Sequence, residues 1–196
     1  MVFSASRLRI RSHPEVYEPA EDSVLLANSL DIGSEERVLE IGVGSGFVSL
    51  VASQRATSIV GIDINPHAAR LAKANARLNG VANVEFIVGD LFFPIMGRFN
   101  LILVNPPYLP EKGGAERDPI ELAWDGGEDG RRLTERFINE VQDYLEPNGR
   151  VLLIQSSISG YEETVRSLSG RGFQVKTLTE QKLFFETIYL IEARRV

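Results

Sequence analysis

Arg37-Val-Leu-Glu-Ile-Gly-Val-Gly-Ser-Gly46 decides the fold. Its first half, Arg37 to Ile41, is a short run of strand formers, and three glycines follow before the helical run from Phe47 to Ser53. Glycines in a strand-to-helix turn permit a tight bend and let a ligand come close to the backbone. The spacing is Gly42-x-Gly44-x-Gly46, and Phe47 stands where a dinucleotide fingerprint would place its third glycine. A bulky residue there argues against a pyrophosphate ligand.

Toward the carboxyl end further strands and helices alternate, without an internal sequence repeat. Ser58 to Ile62 reads as a second strand ended by Asp63, a carboxylate about 20 residues past the glycine turn, where acidic groups accept hydrogen bonds from ribose hydroxyls. Asn65 caps and Pro66 opens a helix running through Asn79, with Gly80 as its stop. Val84 to Val88 is a third strand, closed by Gly89-Asp90-Leu91. Leu101 to Val104 is an unbroken apolar run, the pattern of a parallel strand covered on both faces. It ends at Asn105, and Pro106 and Pro107 force a stiff, extended exit from the sheet before Tyr108. Strands alternating with helices predict an α/β fold whose parallel strands share one rim. Glu40 with its glycines, Asp63, Asp90 and Asn105 gather at that rim, where open α/β sheets bind ligands.

The remainder continues the pattern. A loop of roughly twenty residues follows Tyr108, long enough to be functional or mobile, and its segment Trp124-Asp-Gly-Gly-Glu-Asp-Gly130 reads equally as a lid or as a folded surface loop. A helix from Arg131 to Leu145, a turn at Pro147-Asn-Gly149 and a strand from Arg150 to Gln155 are expected next. Tyr161 to Ser169 then reads as a helix, and Gly172 to Leu178 and Phe184 to Ala193 as strands. With no helix between them, the last two strands should pair antiparallel. On the amino side, Tyr17-Glu-Pro-Ala-Glu-Asp-Ser23 leads into a helical run from Val24 to Leu30, with Glu21 and Asp22 at its positive end.

Bulk properties narrow the class. The length of 196 residues suits a single domain, residues 1–196, and 43% hydrophobic with 24% charged residues is ordinary globular composition. No apolar stretch approaches a membrane span, and the alternating charge near Met1 is unlike a secretory signal, so a cytoplasmic protein is expected. A net charge of −6 argues against stable binding of long nucleic acid. The chain has no cysteine, which excludes disulfides and thiolate metal sites. Its two histidines, His13 and His67, lie far apart in sequence and neither has a metal-ligand spacing, so no metal site is expected.

Taken together, Tyr17-Glu-Pro-Ala-Glu-Asp-Ser23, Glu40-Ile-Gly-Val-Gly-Ser-Gly46, Asp63-Ile-Asn-Pro66, Gly89-Asp-Leu91, Asn105-Pro-Pro-Tyr108 and the Trp124-Asp-Gly-Gly segment resemble the HemK family of class I S-adenosylmethionine-dependent methyltransferases. The likeness is to the archaeal and eukaryotic branch that modifies class I translation release factors. Asn-Pro-Pro-Tyr is shared with amino-methyltransferases of nucleic acid, and the amino-terminal motif is the more specific signal. The resemblance implies a Rossmann-like sheet of seven strands, mostly parallel with an antiparallel last strand, and helices on both faces. It implies that the methionine part of S-adenosyl-L-methionine lies along Gly42, Gly44 and Gly46, with Ser23 and Glu40 helping to seat it. Asp63 would hold the ribose, Ile64 pack on the adenine, Asp90 accept from its amino group and Leu91 touch the ring. The long amino-terminal domain of bacterial members is missing, which favours the compact branch, whose members often rely on a small zinc-binding activator protein.

The chemistry follows from the residues. An amide nitrogen is a poor nucleophile, and the Asn105 side-chain oxygen with the Pro106 carbonyl can accept both hydrogens of one planar NH₂. That orients the nitrogen and favours positive charge developing on it. Tyr108 would pack on the amide face, and Pro107 keeps the corner stiff. An N6-adenine or other nucleic-acid amino group is the alternative acceptor, and a non-catalytic cofactor-binding scaffold a further one. In the expected strand order Val84–Val88 forms a sheet edge, apolar enough either for an activator to pair with or for a neighbouring helix to cover.

Overall fold

The computed structural model describes residues 8–107 and 130–195. They divide between two compact units, residues 1–95 and 96–196. Seven strands are described, three in the first unit and four in the second.

In the first unit, β1 (Arg37–Ile41), β2 (Ser58–Asp63) and β3 (Val84–Val88) run parallel. Glu40 pairs with Gly61 and Asp63 with Val88, so the strands finish level with one another. The helices are α1 (Glu21–Asn28), α2 (Phe47–Ala52) and α3 (Pro66–Leu78). α1 begins three residues before the expected apolar run, because Glu21 and Asp22 already occupy its first turn. Asn65 caps α3 as its sequence predicts, its Oδ1 accepting from the His67 amide at 2.9 Å.

The buried face of α3 carries Ala68, Ala69, Leu71, Ala72 and Ala76, and among these apolar residues sits Asn75 at 0% exposure. A buried amide needs partners for all its polar atoms. Asn75 Oδ1 accepts from the Arg11 amide at 2.9 Å, and its Nδ2 donates to the carbonyls of Arg11 and Ser45 at 3.2 and 2.9 Å. One turn further, Asn79 Oδ1 accepts from the Arg9 amide at 2.9 Å and its Nδ2 donates to the carbonyls of Arg9 and Asn75, both at 2.8 Å. Side chains four apart on a helix stand about 6 Å from each other, near the two-residue repeat of an extended chain. The two asparagines therefore act as a substitute strand edge and hold residues 9–11 along α3.

In the second unit, β4 (Phe99–Val104) and β5 (Leu145–Ser156) are parallel, while β7 (Thr187–Arg195) runs antiparallel to both β5 and β6 (Phe173–Lys182). This is the mostly parallel sheet with an antiparallel last strand that the sequence predicts. The helices are α4 (Arg132–Glu140), followed by a 3-10 turn over Val141–Tyr144, and α5 (Tyr161–Gly170).

Besides shifted ends, such as α4 stopping at Glu140 and β6 running on to Lys182, two stretches differ in kind from the sequence reading. Pro147-Asn-Gly149 lies inside β5: Phe99 pairs with Leu145 and Leu101 with Arg150, so β5 advances five residues where β4 advances two. The turn chemistry is real, with Asn148 at φ 62°, and it extrudes a bulge from the strand. Phe184 is not in a strand. It sits with Phe185 at the tip between β6 and β7, the two 92% and 88% exposed, their rings edge to face at 4.6 Å.

Candidate active site

The glycine turn links β1 to α2 with Gly42, Gly44 and Gly46 at φ 75°, 52° and 81°. At Gly46 a methyl group would stand 2.8 Å from the Ala72 Cβ, so this turn both needs the left-handed region and packs directly on α3. The Gly44 amide donates to Asp63 Oδ2 at 2.9 Å, and the Asn65 amide donates to Oδ1 at 2.8 Å. Two elements read separately in the sequence are thus one unit. An ionised carboxylate offers about four acceptor positions, so Asp63 keeps capacity for two hydroxyls of a ligand. Burial pushes its carboxyl above the ordinary 3.8, against the pull of the two amides.

Glu40, near the end of β1, is 4% exposed, and the Ser49 hydroxyl of α2 donates to its Oε2. Burial raises its pKa from 4.5 to about 8, the charge of Asp63 adds to the rise, and the bonds from Ser49 oppose it. At neutral pH this group holds a proton, and a cationic ligand nearby would draw it into the ionised form.

The amino-terminal motif closes over the same turn. The Tyr17 carbonyl lies 3.7 Å from the position a Gly44 Cβ would take. The Tyr17 hydroxyl donates to both Asp22 oxygens at 3.1 and 3.2 Å, and the Ser23 amide and hydroxyl donate to Asp22 Oδ1 at 2.6 and 3.2 Å. Asp22, read from the sequence only as a helix-start carboxylate, organises this motif at 4% exposure. An Asp at a helix start, five residues after a tyrosine, was the available signal. A cleft of roughly 260 Å³ between Arg11, Tyr17, Pro19 and Leu71 reaches the turn at Ser45 but includes neither Glu40 nor Asp63.

Ile64 is 52% exposed beside Asp63, an apolar surface of the kind a flat ring covers. Asp90 is half-buried, and its amide and carbonyl pair with Phe93 at 3.0 Å. Leu91 has φ 52° and is 4% exposed, which leaves its backbone rather than its side chain for contact with a ligand.

In the second unit, β4 ends at Asn105, which is half-buried with Oδ1 shielded from solvent; Pro106 is buried and Pro107 half-buried. Tyr108 and the Trp124 segment lie outside the described residues. Sequence reasoning missed a polar network in this unit. Arg131, 7% exposed, donates from Nη1 to the Ser159 and Gly160 carbonyls and to Thr164 Oγ1 at 2.8, 2.7 and 3.1 Å. Thr164 in turn donates to Gln155 Oε1 at 2.9 Å, and Gln155 Nε2 donates to Ser159. No local pattern distinguishes such an arginine from a solvated one.

The profile of the methyltransferase small domain matches residues 7–185. The chain belongs to the methyltransferase small domain family. Within it, a protein of Methanocaldococcus jannaschii named for N5-glutamine methyltransferase activity is 44% identical over 198 residues, covering 100% of both chains. Human methyltransferase HEMK2 is 33% identical over 197 residues, covering 91% of this chain and 89% of its own. These relatives put the chain in the HemK branch. Among solved structures, Mtq2 of E. cuniculi, in a complex with Trm112 described as responsible for methylating the termination factor eRF1, superposes with a TM-score of 0.71. It is 24% identical and covers 93% of this chain and 99% of its own, a likeness of fold. Family and fold together imply S-adenosylmethionine as methyl donor. The residues of the first unit fit that group: a glycine cradle for backbone approach, Asp63 with spare acceptor capacity for hydroxyls, and Glu40 poised to ionise beside an ammonium.

Proposed function

We propose that this methyltransferase modifies the side-chain amide nitrogen of the glutamine in the Gly-Gly-Gln loop of a class I translation release factor, with residues 1–196 acting as one catalytic domain. When bound, S-adenosylmethionine supplies a methyl group on a sulfonium, so a nitrogen–carbon bond forms as a sulfur–carbon bond breaks and the amide proton leaves to solvent. Asn105 Oδ1 and the Pro106 carbonyl accept the two N–H groups of the glutamine amide, and Pro107 and Tyr108 confine its plane. Gly42, Gly44, Gly46, Ser23 and Glu40 hold the methionine part, Asp63 the ribose, and Ile64, Asp90 and Leu91 the adenine. The observation that carries the reading is the β4 end: a carboxamide oxygen shielded from water and followed by two prolines, a fixed acceptor with no charge. The names of the relatives support the same acceptor.

Incubating the protein with labelled donor and a release factor, with a small zinc-binding activator supplied, should place one methyl group on the loop glutamine by mass spectrometry. An unmodified loop together with a labelled nucleic acid would instead favour a base amino group. The activator is part of the proposal: β3 is a sheet edge, and exposed Val88 at 51% gives it an apolar end for strand pairing. Among the described residues no helix is long and apolar enough to cross a membrane.

A further inference from the structure

The chain has only two histidines and no cysteine, and the fold brings both histidines to one place with a carboxylate. We propose that His13, Glu15 and His67 bind one divalent transition-metal ion of the zinc type, which staples the amino-terminal strap to the start of α3.

His67 Nε2 lies 3.2 Å from Glu15 Oε2, His13 Nδ1 lies 4.0 Å from the same oxygen, and the three ligand atoms fall within 4.8 Å of one another. A tetrahedral ion with bonds of about 2.1 Å holds its ligand atoms about 3.3 Å apart. One edge of the set already has that spacing, and the other two need a shift that half-exposed side chains, between 34% and 38% accessible, can make. The imidazole rings face each other at 5.0 Å with 29° between their planes. Two imidazoles and one carboxylate are the donor set of open zinc sites, where water completes the coordination.

The supports are fixed in advance. His67 occupies the second position of α3, its amide bound to the Asn65 cap at 2.9 Å. The Asn65 Nδ2 donates to the Glu15 carbonyl at 2.6 Å, and the Val16 amide donates to the His13 carbonyl at 3.0 Å. The Glu15 amide donates to His13 Nδ1 at 3.2 Å, so that nitrogen is an acceptor with its lone pair in use, and the ion would take the place of this N–H. The ion would close the chain between residues 13 and 67, and it would do so just before the Tyr17–Ser23 motif.

The test uses the full chain without a polyhistidine tag, stripped with chelator. Zinc titrated into it should bind at one equivalent by calorimetry, cobalt should give the visible bands of a four-coordinate ion, and about 100 μM zinc should raise Tm by several degrees. His13→Asn and His67→Asn should each weaken zinc binding at least about tenfold while leaving the metal-free Tm within a few degrees, as loss of one ligand from three requires. Glu15→Gln should weaken it less. Absence of heat, of cobalt bands and of any Tm shift in the unaltered chain would overturn the proposal whatever the variants do. So would one-equivalent binding that survives in the His13→Asn/His67→Asn double variant.

Discussion

In the first unit β1 and β2 close on ionisable groups, Glu40 and Asp63, held by a serine hydroxyl and by backbone amides. In the second, β4 and β5 close on carboxamides, Asn105 and Gln155, and the charge that supports the network there, Arg131, is turned inward onto carbonyls. Carboxylates suit a ligand that brings hydroxyls and an ammonium, because charge-assisted bonds are the strong ones. A neutral oxygen suits an acceptor amide that must be oriented yet remain uncharged until it reacts. Binding and turnover should therefore separate between the two units when each is altered.

The largest effect expected is on turnover. Asn105→Ala should lower methyl transfer about 10²–10³-fold, the loss seen when one positioned hydrogen-bonding group is removed, while the donor's Kd stays within about twofold. Mass spectrometry of the product and calorimetry of the cofactor measure the two halves, and equal losses in both would erase the distinction. Next comes stability of the second unit: Arg131→Met strands two carbonyls and a hydroxyl, and urea unfolding should show a loss of about 3 kcal/mol.

Asp63→Asn should weaken binding of S-adenosylhomocysteine by about 1.5–3 kcal/mol, since the charged acceptor is gone and an NH₂ now confronts the Gly44 or Asn65 amide. Unchanged affinity would detach Asp63 from the ligand. The most gradual signal is a slope. Glu40 is protonated in the folded protein up to about pH 8 but would release its proton near 4.5 when unfolded. The folded state then binds the extra proton between these values, and stability falls as pH rises, by at most about 1.4 kcal/mol per pH unit. Glu40→Gln should flatten that decline in unfolding curves recorded across the window, and an unaltered slope would assign it elsewhere.

Strands that carry their own boundaries were legible in the sequence. Arg37–Ile41 and Val84–Val88 begin and end as read, because glycines or a change of polarity bracket each run. Asn65, Pro66 and the positive-φ glycines also announce themselves, since each is demanded by local backbone geometry. Where apolar character and position disagree, reading fails. Phe184 and Phe185 have the composition of a strand but lie at a hairpin tip, and Pro147-Asn-Gly149 has the composition of a connection but lies within β5. Contacts across long sequence separation leave no periodic trace. The Arg131 network spans residues 131 to 164, and His13 meets His67 only because the strap runs back along α3.

The asparagine clamp on that strap has a consequence for tolerance to change. Asn75 and Asn79 grip the peptide groups of Arg11 and Arg9, so their hold depends on spacing and not on side-chain identity, although Arg9 Nη2 adds a bond of its own to the Leu78 carbonyl at 2.7 Å. Deleting or inserting one residue between Arg11 and Glu15 would put the alternate peptide groups out of step with the helix. The strap would then have to choose between its amide partners and the place of Tyr17 over the glycine turn.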